Sequence, residues 1–200
     1  MGVIIGLTGG SGAGKSVVSA ALAARGAGWV DADAVYHGLC TPGSELLCAL
    51  NEAFPGVLTP EGGLDRPALA KRVFLDKAAL ARLNAITTPR IRAAMAARAT
   101  ELFTAGHPVV LYDAPTLFQT GIDRDCARVI GVIADRATRM ARIMARDGLT
   151  AEAAAARIDN QPDSDFYRAR CDFIIENNGS TGEAAAAAQA LWEKLLQISK

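Results

Sequence analysis

Five short apolar runs punctuate the chain, at residues 3–7, 29–31, 109–113, 129–133 and 173–175. Helical patterning lies between successive runs. It includes residues 17–24, 68–74 after Pro67, 77–84, and 91–103 after Pro89. Pro67 and Pro89 suit the first turn of a helix, where a missing N–H costs nothing. Short apolar strands alternating with helices predict an α/β protein with a parallel sheet covered on both faces. Right-handed crossovers then bring every strand's carboxyl end to one edge, where ligands bind in such sheets. Residues 8–16, 31–33, 113–118 and 177–179 all fall on that edge, which locates a candidate site before any chemistry is considered.

Two segments exceed the minimal alternation. Residues 41–105 carry several helix candidates and no clear strand, and read as a helical insertion that covers an acceptor. Residues 135–170 are rich in arginine. Arg136, Arg139, Arg142 and Arg146 are spaced by three, three and four, so they share one helix face. That face is either solvated or laid against an anion. Next to a phosphate site it fits a lid whose arginines run along a transferring phosphoryl group. Asp147-Gly148-Leu149-Thr150 then reads as helix stop, turn and next N-cap.

The anion is supplied by the sequence between the first strand and the first helix. Gly9-Gly10-Ser11-Gly12-Ala13-Gly14-Lys15-Ser16 has the form G-x-x-x-x-G-K-S, the phosphate-binding loop in its strand-then-helix context. Glycines allow a tight turn whose N–H groups converge with no Cβ in the way. The helix that follows adds unpaired N–H groups and the positive end of its dipole. Lys15 brings a mobile charge to the β- and γ-phosphates, and the Ser16 hydroxyl is a ligand for Mg²⁺. A nucleoside triphosphate with Mg²⁺ is the predicted ligand, held by Gly10, Ser11, Gly12, Ala13, Gly14, Lys15, Ser16 and Val17.

Composition narrows the partners. Lys+Arg and Asp+Glu balance at 21 each, so no overall basic field argues for nucleic acid. No apolar stretch approaches membrane-spanning length. The first residues lack a basic n-region and are read as no signal peptide, and Gly6 stands where a myristoylation signal wants Ser or Thr. Cys40, Cys48, Cys126 and Cys171 are scattered without zinc spacing, and read as thiols of a reducing cytoplasm. His37 and His107 read as surface residues rather than catalytic bases.

A carboxylate at the same edge completes the chemistry. In Asp31-Ala32-Asp33 two carboxylates follow the second strand, and one of them is read as facing the nucleotide. Asp33 is favoured because it lies farther past the strand. It can accept a proton from an alcohol, orient that alcohol, or hold the metal through water. The other reading of Asp33 is an N-cap for a helix over 34–39. Asp113 is either a metal partner through water or a turn former.

These residues together resemble the dephospho-coenzyme A kinase family over nearly the whole chain. The resemblance runs from Ile5-Gly6-Leu7-Thr8 through the loop to Val30-Asp31-Ala32-Asp33. It continues with Gly63-Leu64-Asp65-Arg66-Pro67-Ala68-Leu69, Val73-Phe74 and Leu83-Asn84-Ala85-Ile86-Thr87-Thr88-Pro89-Arg90-Ile91. It ends with Arg142-Ile143-Met144-Ala145-Arg146-Asp147-Gly148-Leu149-Thr150, then Ala154, Arg157-Ile158, Gln161 and the segment Cys171 to Gly179. The loop alone is shared by many enzymes; its combination with D-A-D and R-x-x-x-R-D-G-L is far more specific.

The resemblance implies a P-loop fold of nucleoside-monophosphate-kinase type, with a five-stranded parallel sheet, an acceptor-binding helical insertion over 41–105 and a lid over 135–170. It implies transfer of the ATP γ-phosphoryl to the ribose 3′-hydroxyl of dephospho-coenzyme A, the last step of coenzyme A biosynthesis, in a cytoplasmic enzyme with no obligatory protein partner. Asp33 would be the base or hydroxyl-orienting group, Lys15 would hold phosphates and Ser16 would hold Mg²⁺, partly through water. Arg142 would meet transition-state charge, Arg66 and Pro115 would help bind the acceptor, and Asn177 would border the adenine of ATP. The chain departs from the family pattern at Val17, Thr88, Thr116 and Gln119. Two other functions fit the loop: a P-loop kinase acting on a nucleoside or nucleotide, and an ATP-binding module without turnover.

Overall fold

The computed structural model describes residues 2–74 and 76–199. The five predicted strands form, with ends within a residue or so of the apolar runs: β1 (Val3–Thr8), β2 (Gly28–Asp31), β3 (Val109–Asp113), β4 (Arg128–Ile133) and β5 (Phe173–Glu176). They make one sheet in the order β2-β3-β1-β4-β5, and the pairs β1–β3, β1–β4 and β4–β5 are parallel. The central strands are apolar on both faces because helices cover both; all five residues of β3 are buried. Helices α1 (Lys15–Ala23) and α9 (Thr181–Ile198) contribute Val18, Leu22, Trp192 and Leu195 to the core that holds Ile5 and Leu111.

Register sets the functional edge. Leu7 pairs with Asp113, Thr8 with Gly131 and Ile133 with Glu176, so β1, β3, β4 and β5 all end toward the same side. The loop after Thr8 is thus flanked by Asp113 to Pro115, by Ala134 and by Asn177. Two bonds tie the flank together: the Thr8 hydroxyl donates to the Pro115 carbonyl at 3.3 Å and the Ala114 amide to that of Leu7 at 3.0 Å.

The chain divides into two compact units, Met1–Val30 with Ala99–Lys200, and Asp31–Arg98. The second contains α2 (Ala32–Leu39), α3 (Glu45–Ala53), α4 (Arg66–Val73) and most of α5 (Lys77–Thr104). Its core gathers Leu46, Leu50, Phe54, Val57 and Leu69. Asp65 caps α4 and Pro67 stands in its first turn, as its position predicts. A lone antiparallel bridge joins Leu58 to Leu64.

Pro89 corrects the sequence reading. The two helices expected over 77–84 and 91–103 are one helix, α5, with Pro89 inside it. Proline removes one helical bond and pushes its ring against the preceding turn. That turn is braced by side chains: the Thr87 hydroxyl donates to the Leu83 carbonyl and Arg90 Nη1 to the Ile86 carbonyl, both at 2.9 Å. Neither bond reaches the Ala85 carbonyl, the one that Pro89 leaves without its helical donor, so the helix runs on with that bond lost.

The first unit also carries α6 (Arg136–Asp147), α7 (Ala151–Asp159) and α8 (Ser164–Arg170). Gly148 takes the left-handed conformation that stops α6, and Thr150 caps α7, so the turn falls where the sequence places it. Ile143, Ala154 and Ile158 pack α6 against α7. His107 lies in the turn before β3, its Nδ1 2.8 Å from the Gly26 carbonyl.

Candidate active site

The start of α1 differs from every other α-helix start among the described residues. A side-chain oxygen accepts from first-turn amides at each of the others: Asp31, Ser44, Asp65, Asp76, Asp135, Thr150, Asp163 and Ser180. At α1 the capping position is Gly14, with φ 94°, and no side chain caps it. The amides of Gly12, Gly14, Lys15 and Ser16 take no protein acceptor among the described residues. An uncapped helix start behind a glycine loop is the arrangement that receives a phosphate. Gly14 is required twice over: its φ is left-handed, and a Cβ there would collide with Asn177 Nδ2.

Three carbonyls of the loop each meet a side chain. Arg139 Nε donates to the Ser11 carbonyl at 2.9 Å, Arg142 Nη1 to that of Gly12 at 3.4 Å, and Asn177 Nδ2 to that of Ala13 at 2.8 Å. Arg142 further donates to the carbonyls of Asn177 and Gly179, at 2.8 and 3.1 Å, and to Asn177 Oδ1 at 3.3 Å. The predicted arginine face therefore does not simply face water. Arg139 is 6% exposed, and burial pulls its pKa down although the guanidinium stays charged. Arg136 pairs with Asp159, while Arg146 reaches both Asp147 and the Ser11 hydroxyl. Hydrogen bonds from Arg146, then from Arg157, hold the Asp147 carboxyl at about 2.

Lys15 Nζ lies 3.9 Å from Asp113 Oδ1, so the lysine and the carboxylate closing β3 share one position. The Ser16 hydroxyl is exposed at the helix start and Val17 lies behind it, half-buried. A cavity of about 700 Å³ opens beside the loop, lined by Arg136, Arg139, Gln161, Ser164 and Phe166 among others. Pro115 follows β3 at the same sheet edge. Phe118 meets Phe166 edge to face, and the Arg170 guanidinium stands 4.6 Å from the Phe166 ring centre.

In the Asp31–Arg98 unit the D-A-D sequence resolves into two separate jobs. Helix α2 starts earlier than the sequence suggests, and Asp31 caps it, accepting from the amides of Asp33 (2.8 Å) and Ala34 (3.1 Å). The capping reading of Asp33 is thus replaced by Asp31. Asp33 stands exposed in the first turn of α2, its carboxylate unused by the cap. Arg66 opens α4, with its guanidinium 5.5 Å from the Tyr36 ring centre.

Residues 3–183 match the dephospho-CoA kinase family. A dephospho-CoA kinase of Anaeromyxobacter dehalogenans is 43% identical over 189 residues, covering 94% of this chain and 90% of that one. Among solved structures, a Thermus thermophilus protein is 33% identical with a TM-score of 0.82, over 97% and 98% of the two chains. A dephospho-CoA kinase from Campylobacter jejuni has a TM-score of 0.70 at 26% identity, over 100% of both. The chain belongs to the dephospho-CoA kinase family. It is a kinase, with the P-loop fold that the resemblance implies.

Thr116 and Gln119 are exposed, on a segment anchored by the fully buried Leu117. Two loop partners were not legible: Arg139, one of four arginines on its helix, and Gln161, in a turn with no periodic signal. Asn177 is 3% exposed and its amide is committed to Ala13 and Arg142, so it buttresses the loop as well as bordering the site. The oxygen donors fit Mg²⁺: a serine hydroxyl and the Asp113 carboxylate are the small hard-oxygen set that suffices when phosphates and water complete the shell. Among the described residues no helix is long and apolar enough to cross a membrane.

Proposed function

We propose that the enzyme transfers the γ-phosphoryl group of ATP to the ribose 3′-hydroxyl of dephospho-CoA, giving ADP and coenzyme A. The observation that carries the phosphate half is the uncapped start of α1 behind Gly14, with Lys15 beside it. Family membership over residues 3–183 supports the acceptor half.

In this reading the amides of residues 12 and 14–16 bind the β- and γ-phosphates, and Lys15 neutralises charge that builds on the oxygens in transit. Ser16, with Asp113 through water, would hold Mg²⁺, which when bound screens the polyphosphate. Asp33 takes the proton of the 3′-hydroxyl or fixes that hydroxyl for in-line attack. Its availability follows from Asp31 having taken the cap. Arg142 adds positive charge beside Gly12 and holds the Asn177–Gly179 turn that borders the adenine. Arg66 and Pro115 contribute to binding the acceptor.

The test is an acceptor panel with purified enzyme, ATP and Mg²⁺. ADP release should depend on dephospho-CoA and be weak or nil with nucleosides and nucleoside monophosphates. Equal release with a nucleoside would favour the wider P-loop kinase reading, and ATP binding without release would favour a silent module.

A further inference from the structure

We infer that Arg139 and Gln161 are positioning residues that aim the phosphate loop by gripping the Ser11 peptide groups from outside. The geometry is closed on both sides of Ser11. Its N–H donates to Gln161 Oε1 at 2.8 Å, and its carbonyl accepts from Arg139 Nε at 2.9 Å. The same Gln161 oxygen accepts from Arg139 Nη2 at 2.7 Å, which locks the two side chains to each other. Arg139 is buried, and its Nε and Nη2 are committed to protein acceptors, so it works through the loop rather than as an arm reaching for phosphate.

The consequence follows from peptide geometry. The peptides are trans, and in a trans peptide the carbonyl of one residue points opposite to the N–H of the next. Drawing the Ser11 carbonyl toward Arg139 turns the Gly12 N–H to the other side. Asn177 does the same for Gly14 through the Ala13 carbonyl. The Gly12 carbonyl, drawn toward Arg142, is followed by the Ala13 N–H, which closes on the Gly10 carbonyl at 3.1 Å inside the loop. The amides of Gly12 and Gly14, the ones without protein acceptors, are thereby pre-aimed in the same sense. The guanidinium donors on the Ser11 and Gly12 carbonyls also polarise those peptides, strengthening their N–H groups as donors.

Arg139 comes from α6, and Gln161 from the turn after α7, so both lid helices bear on one loop residue. Glycine at position 10 keeps the grip in place, since a Cβ there would strike the Arg139 guanidinium. The inference rests on reading this loop as the ATP site.

The experiment compares wild type, Gln161→Met, Gln161→Glu and Arg139→Lys. It measures KM for ATP, KM for dephospho-CoA and kcat, with calorimetric ADP binding and thermal melts alongside. Gln161→Met keeps the length and loses the acceptor oxygen, so it should raise KM for ATP and weaken ADP binding by about tenfold, the worth of hydrogen bonds to a charged group. KM for dephospho-CoA should stay within about twofold, because no acceptor group is touched. Gln161→Glu keeps an oxygen that can accept both bonds and should restore ADP binding. Arg139→Lys, with one donor head in place of a fork, should behave like Gln161→Met. Unchanged ADP affinity in Gln161→Met and Arg139→Lys, or equal rises in both KM values, would overturn the inference. A wild-type protein that fails to bind ADP or ATP would instead overturn the reading of the loop itself, and the inference with it.

Discussion

Lys15 Nζ and Asp113 Oδ1 stand 3.9 Å apart, joining the first residue of α1 to the last residue of β3. Both side chains are largely shielded from water, which keeps their charges from being screened as surface charges are. Asp113→Asn should preserve the shape and lower kcat by about 10², the scale found when one preorganised electrostatic group is removed. Steady-state turnover at saturating substrates checks this. Turnover equal to wild type would leave the pair a structural contact.

Asp33 is the sharpest test of the acceptor side. Asp33→Asn should lower turnover by about 10² to 10⁴, the range for a positioned general base. ATP affinity should be nearly unchanged, since Asp31, not Asp33, holds the helix start. Asp31→Ala should instead reduce stability, by about 1 kcal/mol for a lost N-cap. Near-normal turnover of Asp33→Asn would remove the base from the mechanism.

Asp147 gives the turn between α6 and α7 an acid limit. Its carboxyl is held at about 2 by Arg146 and Arg157, below its value in an unfolded chain. A depressed folded pKa adds stability that is complete above the unfolded pKa and is lost as pH falls through the folded one. The melting difference between wild type and Asp147→Asn should therefore be constant above about pH 5 and fade between about pH 4 and pH 2. A difference that persists unchanged to pH 2 would contradict the pairing.

Pro89 sits inside a 28-residue helix that tolerates it. Pro89→Ala should restore a helical hydrogen bond and stabilise the protein by about 1–2 kcal/mol. This is below the roughly 3 kcal/mol of a helix-interior proline, because alanine loosens the unfolded chain. A thermal melt reads this as a rise in Tm of a few degrees. A fall in Tm would mean that the bracing by Thr87 and Arg90 needs the proline.

What was legible in the sequence had local causes. The apolar runs marked all five strands because buried parallel strands need apolar residues on both faces. The glycine spacing marked the phosphate loop, and Asp147-Gly148-Leu149-Thr150 marked the turn between α6 and α7 through its capping chemistry. What was not legible depends on residues far apart in the chain. Arg139 is singled out from its three neighbours by meeting the Ser11 carbonyl, 128 residues away, and the hold of Asn177 on the loop comes from meeting Ala13 at a separation of 164. The continuity of α5 through Pro89 was hidden because a proline reads as a break, and this helix carries on with one bond lost. The assignment of the cap to Asp31 turned on where α2 starts, and boundaries are the weakest part of any sequence reading.

The most direct measurement is the stoichiometry of product formation from ATP and dephospho-CoA, with Lys15→Ala as the blank. One coenzyme A per ADP released, the new phosphate on the ribose 3′-oxygen and a silent blank are the expected result. ADP release without coenzyme A, or equal activity in Lys15→Ala, would contradict it.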